Sequence, residues 1–287
     1  MLKINSVVPD QISYTQIIKS IANMPKRLWL CGDLPAERVP SIAIVGTRKP
    51  TLYGKEVTYR LAYELASRGI VIISGLALGT DGIVHRAALD AGGITIAVLP
   101  TPIESIHPYS HRALAADIVR GGGALLSEYA ADDGVYKVNF VARNRIVSAL
   151  SDGVLITEAT NRSGTLRTAN FALEQGKPVM VVPGNITSPM SAGCNNLLKI
   201  GATPVTETAD VLHELGLRDI DKQTELPLPK TKEENTLLNL IAAGTREGEL
   251  LHQKSGLSAA TYNQTMTMLE IEGKIRALGS NQWTLRR

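Results

Sequence analysis

Cysteine is scarce: the 287-residue chain carries only Cys31 and Cys194. Two isolated thiols build neither a disulfide framework nor a zinc site, so the sequence fits a reducing, cytoplasmic setting. The 5 histidines have no paired cysteines beside them, and no structural metal or cofactor is expected. Aromatic residues are few, with 2 Phe, 2 Trp and 8 Tyr. That is too little for a broad base-stacking platform. No uninterrupted apolar run reaches the ~20 residues of a membrane helix, and mean hydropathy is +0.03. The start, Met1-Leu2-Lys3-Ile4-Asn5-Ser6, has no apolar signal core. Neither secretion nor membrane insertion is expected.

An excess of one charge is missing too. Formal net charge is +3, but residues 41–215 hold 15 Lys/Arg against 15 Asp/Glu. Residues 226–287 hold 8 against 6, a net of +2. No region attracts polyanions by bulk charge. Phosphate binding must come from a local cluster or from backbone amides.

What remains is an ordinary folded composition, 44% hydrophobic and 20% charged, long enough for about two domains. Residues 1–40 are mixed and read as a short helical segment, with a weak helical pattern around Tyr14–Ile21. From residue 41 to 218, short apolar runs alternate with helical stretches. The runs are Ile42–Val45, Ile70–Ile73, Ile94–Leu99, Ala124–Leu126, Val154–Ile156 and Val179–Val182. Runs this short with no polar alternation are strands buried on both faces, hence parallel. Stretches such as Gly54–Arg68 and Thr165–Gln175 are long enough to be the crossover helices. The expectation is a doubly wound α/β sheet, whose ligands sit beyond the carboxyl ends of its strands. Residues 219–232, containing Leu226-Pro227-Leu228-Pro229, read as a linker. Residues 233–287 read as helices followed by an alternating hairpin around Gly279-Ser280-Asn281, a winged-helix pattern in which Ser258 caps the last helix.

The strand ends carry the chemistry. Gly46-Thr47-Arg48 follows the first run, where a glycine lets backbone approach a ligand and Arg48 offers a phosphate-matching fork. An ordinary strand-to-helix turn with a surface arginine is the plain alternative. Ser74-Gly75-Leu76-Ala77-Leu78-Gly79-Thr80-Asp81 follows the second, with Asp81 either accepting from a ribose or capping a helix. Ser163-Gly164-Thr165 opens a helix after the fifth run and either cradles a phosphate or caps that helix. Phe140–Leu150 reads as one amphipathic helix. Its Arg143 and Arg145 point about 200° apart, so one faces the ligand edge while the other pairs with a carboxylate. Gly193–Ala202, with Lys199, is a further glycine-rich approach expected at the same edge. No Ser/His/Asp or Cys/His nucleophile set stands out, and no carboxylate pair demands acid–base roles.

Together these residues resemble the DprA/Smf family of bacterial DNA-processing proteins. The likeness runs in order over roughly residues 25–215. It includes Leu28–Asp33, Ala43–Arg48, Thr51–Gly54, Ser74–Asp81, Phe140–Ser151, Glu158-Ala159, Ser163–Leu166, Val182-Pro183-Gly184 and Gly193–Ala202. The resemblance implies an extended Rossmann-like domain with a winged-helix tail. It further implies binding of single-stranded DNA, protection of incoming DNA in natural transformation, loading of a RecA-type recombinase, and a homodimer formed through the Rossmann-like domain. Gly46-Thr47-Arg48 then lines a basic pocket for DNA phosphates, with Lys137 and Phe140 at DNA-contacting positions. The full set of expected nucleic-acid contacts is Gly46, Thr47, Arg48, Ser74, Gly75, Lys137, Phe140, Arg143, Asn144, Ser163, Gly164, Thr165 and Lys199. This chain departs from the family pattern at Pro100-Thr101-Pro102, at His107-Pro108 and at Leu78, and its N-terminal segment of 40 residues is shorter than the family's helical extension.

Two other readings compete. The sheet is also similar to that of LOG-type phosphoribohydrolases, nucleotide-processing enzymes with a Pro-Gly-Gly-x-Gly-Thr-x-x-Glu signature. Here Gly164-Thr165 survives but Thr168 replaces the glutamate, which argues against hydrolysis. Alternatively, the tail reads duplex DNA and the protein is a regulator, a role that the tail's small positive charge supports only weakly.

Overall fold

The computed structural model describes residues 3–217, 231–272, 274–279 and 281–285. The chain divides into two compact units, Met1–Asp219 and Ile220–Arg287. Residues 219–230 of the expected linker lie outside the described residues.

The first unit is built on one nine-stranded sheet. In chain order its elements are β1 (Ile4–Val7), β2 (Leu28–Gly32), β3 (Ser41–Val45), α1 (Leu52–Ser67), β4 (Val71–Ser74), α2 (Thr80–Asp90), β5 (Thr95–Leu99), α3 (Arg112–Arg120) and β6 (Ala124–Ser127). They continue with α4 (Lys137–Ala142), α5 (Asn144–Leu150), β7 (Gly153–Ile156), α6 (Thr165–Glu174), β8 (Val179–Val181), α7 (Ala192–Lys199), β9 (Thr203–Pro204) and α8 (Thr208–Glu214). All six apolar runs are strands, and every residue of β3 to β8 is buried. Alternation persists beneath this uniform burial. Ile42 and Ile44 pack with Leu61 and Leu65 of α1, while Ala43 and Val45 pack with Ile146 and Ala169 on the opposite face. Helices covering both faces are what an uninterrupted apolar strand requires.

Strand order is β1-β2-β6-β5-β4-β3-β7-β8-β9. From β3 the chain steps outward through β4, β5 and β6, then returns to the other side of β3 as β7. The direction of winding therefore reverses between β3 and β7, and a crevice opens beyond their carboxyl ends.

Residues 1–40 depart from the expected helical segment. They supply β1 and β2, which extend the sheet antiparallel beyond β6. The helical pattern at Tyr14–Ile21 is a 3-10 helix, Ser13–Ser20, whose Tyr14 and Ile18 are fully buried in the core. The expected helix Phe140–Leu150 is also two helices, α4 and α5, with Arg143 at the junction. Beyond α5, Lys177 Nζ donates to the carbonyls of Ser148, Ala149 and Ser151 at 2.9, 2.5 and 2.5 Å. One ammonium thus satisfies the end of that helix.

The second unit has α9 (Lys232–Ala242), α10 (Gly248–Ser255), α11 (Ala259–Ile271), β10 (Ile275–Gly279) and β11 (Gln282–Leu285). Ser258 Oγ accepts from the Thr261 amide at 3.2 Å, capping α11 as expected. The strands form an antiparallel hairpin. Leu237, Leu238, Ile241, Leu251, Tyr262, Met266, Leu269 and Ile275 make its core. Three helices followed by a hairpin give a winged helix.

Candidate nucleic-acid interface

The loops after β3, β4 and β7 are joined before they meet any ligand. The Glu158 carboxylate accepts from Thr51 Oγ1 at 2.6 Å and from the Thr51 amide at 2.9 Å. Thr51 Oγ1 in turn accepts from the Gly54 amide at 3.0 Å, capping α1. The Thr47 amide donates to the Glu158 carbonyl at 2.8 Å, and the Thr80 amide donates to the Thr47 carbonyl at 3.1 Å. Thr165 Oγ1 donates to the Gly46 carbonyl at 2.9 Å. The site is preorganised by backbone pairing of one loop with the next.

The glycines serve this packing, which revises the ligand-approach argument made for them. A Cβ on Gly46 would lie 2.5 Å from Thr80 Oγ1. A Cβ on Gly75 would collide with the Arg143 guanidinium, and one on Gly54 with the Glu158 carboxylate. These positions lack side chains because neighbouring protein groups occupy the space.

A pocket of about 470 Å³ opens at the β3–β7 crevice. Gly46, Thr47, Arg48, Gly75, Phe140, Arg143, Asn144, Ser163, Gly164 and Thr165 all line it. Three expected residues do not. Ser74 is fully buried and donates its hydroxyl to the Ile44 carbonyl at 2.7 Å. Lys199 is the last residue of α7 and is not among the residues that line the pocket. Lys137 begins α4, is exposed, and is not among the residues that line the pocket, although it lies one turn from Phe140 on the same helix.

Charge in the pocket is positive although the domain is balanced: Arg48, Lys49 and Arg143 line it with one carboxylate, Asp81. Arg48 and Lys49 are exposed. Arg143 is 5% exposed and donates Nη1 to the carbonyls of Gly75 and Val98. Burial pulls its pKa down to about 10, partly opposed by Asp81, so it stays charged at neutral pH. Asp81 Oδ2 accepts from the Gly75 and Ala77 amides at 3.1 and 3.2 Å. Burial pushes its carboxyl up, and Arg143 pulls it back. Arg145 points elsewhere and pairs with Glu128 at 2.5 Å, as the 200° divergence predicts.

Sequence reasoning missed Lys49, Thr160 and Met190 in the wall. It also missed His107, whose ring meets Phe140 edge-on at 5.3 Å. Lys49 was in view beside Arg48; the distant His107 and Met190 carry no local signal. Thr168 lines the pocket and brings a hydroxyl where the hydrolase signature carries a carboxylate. Burial pushes the Cys194 thiol up to about 12, which keeps it protonated and unreactive. Among the described residues, no three His, Cys, Asp or Glu side chains are grouped to hold a metal, and no helix is long and apolar enough to cross a membrane.

Comparison with known proteins agrees with this architecture. Residues 5–216 match the model of DNA recombination-mediator protein A, and residues 221–281 match that of the DprA winged helix domain. Protein Smf of Escherichia coli is 36% identical over 97% of this chain and 76% of its own length. DNA processing protein DprA of Bacillus subtilis is 38% identical over 76% of this chain and 73% of its own. The X-ray structure of DprA from Streptococcus pneumoniae superposes with a TM-score of 0.69 at 36% identity, covering 74% of each chain. DprA from Helicobacter pylori, solved for its single-stranded DNA binding mode, gives 0.65 at 34% identity over 75% of this chain and 96% of that one. Over both of its units, this chain belongs to the DprA/Smf family of DNA-processing proteins.

Proposed function

We propose that the protein binds single-stranded DNA through the pocket at the β3–β7 crevice. The observation that carries this reading is the convergence of Arg48, Lys49, Phe140 and the Ser163–Thr165 helix start on one cavity holding a single, already bonded carboxylate. Exposed cations at the rim suit phosphates, which a single strand presents in series. One phenylalanine allows one stacked base, so phosphate tracking dominates over base readout. The relative from Helicobacter pylori, named for single-stranded DNA binding, supports the same substrate here.

On this reading the protein protects incoming DNA in the cytoplasm during natural transformation and helps load a RecA-type recombinase, working as a homodimer through its Rossmann-like unit. It is a binding protein and not an enzyme.

Fluorescence anisotropy of a labelled oligothymidine, beside a matched duplex, tests the reading across a salt series. With about six phosphate contacts, log Kd should change with log salt with a slope near 4, since each single-strand phosphate contributes ~0.7. Absence of single-strand binding at low salt overturns it. Binding by Arg48→Ala equal to that of the natural protein removes this pocket from the account.

A further inference from the structure

A second basic cleft, of about 620 Å³, opens on the other side of Arg48. Its walls are the start of α1, the first turns of α2, and the 3-10 turn Tyr109–His111 that leads into α3. Arg48, Lys49, Lys55, Arg86 and His111 line it, with no aspartate or glutamate among the lining residues. Lys49 and Lys55 are exposed and make no ion pair among the described residues. Arg86 shares Asp117 with Arg120, at 3.1 and 2.5 Å.

Three further features suit this cleft to a phosphodiester chain. His111 donates Nδ1–H to the Leu76 carbonyl at 2.9 Å, which fixes the ring over Gly82, where a Cβ would lie 2.7 Å from Cε1. α2 has no side-chain cap; the Thr80 amide is taken by the Thr47 carbonyl, and the N-cap Gly79 and first-turn Gly82 line the cleft. Tyr59, anchored through its hydroxyl to Asp90 at 2.9 Å, adds an aromatic ring to the wall. Cations, helix amides and one ring in a carboxylate-free groove form the combination that tracks a single strand.

The two cavities are neighbours: Arg48 and Lys49 line both. We infer that a strand held in the β3–β7 pocket runs over Arg48 and Lys49 and places further phosphates in this cleft against Lys55, Arg86 and His111. This inference rests on the proposed function and extends it by a second phosphate subsite, which matters only for strands long enough to reach it.

The test uses the full chain and anisotropy with labelled oligothymidines of about 6 and about 20 nucleotides across a salt series. Variants are Lys55→Gln, the pair Lys55→Gln with Arg86→Gln, Arg48→Ala, and Lys26→Gln as an exposed lysine away from both cavities. For the longer strand, Lys55→Gln should reduce the salt slope by about 0.7 and the pair by about 1.4, with several-fold weaker binding. The shorter strand should bind the Lys55 and Arg86 variants normally but lose affinity to Arg48→Ala. Normal binding of both lengths by the double variant, with Arg48→Ala still defective, overturns the second subsite alone. Normal binding by Arg48→Ala as well overturns the proposed function itself. Equal losses for Lys26→Gln and Lys55→Gln overturn the subsite by making the effect one of general charge.

Discussion

The guanidinium carbon of Arg48 stands 5.8 Å from the ring centre of Phe140. Arg48 sits in the loop after β3 and Phe140 on α4; they meet at the pocket mouth, where the ring steadies an arginine that makes no ion pair among the described residues. On the proposed reading one side chain meets phosphate and the other a base, which separates their signatures. Arg48→Ala should weaken oligothymidine binding about ten-fold and reduce the salt slope by ~0.7. Phe140→Ala should cost ~1–3 kcal/mol and leave the slope intact. The double variant should lose less than the sum, because each residue positions the other. Additive losses with identical slopes would contradict the shared site.

Arg143 should behave as a structural residue first. It is buried, its Nη1 is spent on two carbonyls, and it offsets the charge of Asp81. Arg143→Met should destabilise the Rossmann-like unit by about 1–3 kcal/mol in denaturant unfolding, since it leaves the Gly75 and Val98 carbonyls without their donor and removes the charge that offsets Asp81. Adding Asp81→Asn should recover part of that loss. A single variant as stable as the natural protein would show that the charge is not held by the fold.

Gly54→Ala should also act through packing. Its Cβ would collide with the Glu158 carboxylate, which holds Thr51 and through it the start of α1. A loss of about 1–3 kcal/mol is expected from overpacking. Gly164→Ala, where nothing lies within 4 Å of the added atom, should leave thermal unfolding unchanged. Equal effects at the two positions would argue against packing as the reason for glycine.

These variants mark how much was legible in the sequence. Continuous apolar runs such as Ile42–Val45 announce parallel strands, because only a strand covered on both faces tolerates them. The loops at their ends, and so the pocket, follow from the sheet's winding. β1 escaped notice because four residues at a sheet edge, two of them exposed, carry too short a pattern. The break at Arg143 escaped because Phe140–Leu150 has no proline or glycine to announce it; a buried guanidinium reaching two distant carbonyls holds the junction. Glycine spacing located the right loops, but whether ligand or protein fills the space at Gly46 depends on Thr80, a residue on another element.

His85 should make the fold sensitive to acid. Thr95 Oγ1 donates to the Ile72 carbonyl at 2.8 Å, so it must accept from His85 Nδ1–H at 2.7 Å. That assigns the neutral tautomer and leaves Nε2 buried with no partner. Protonation would place an unsatisfied N–H there. Burial brings the pKa down from 6.5 to about 3, and the nearby His111 and Arg143 push the same way. Between those two values the unfolded chain binds the proton that the folded chain refuses, so stability rises with pH across the window. The contribution is complete above the ordinary histidine range and falls by about 1.4 kcal/mol per pH unit on acidification through it. His85→Asn keeps a donor for Thr95 and removes the titration. Urea midpoints measured from about pH 7 down to about pH 4 should therefore fall less steeply for the variant than for the natural protein. Parallel curves would mean that His85 is not the group through which acid weakens this fold.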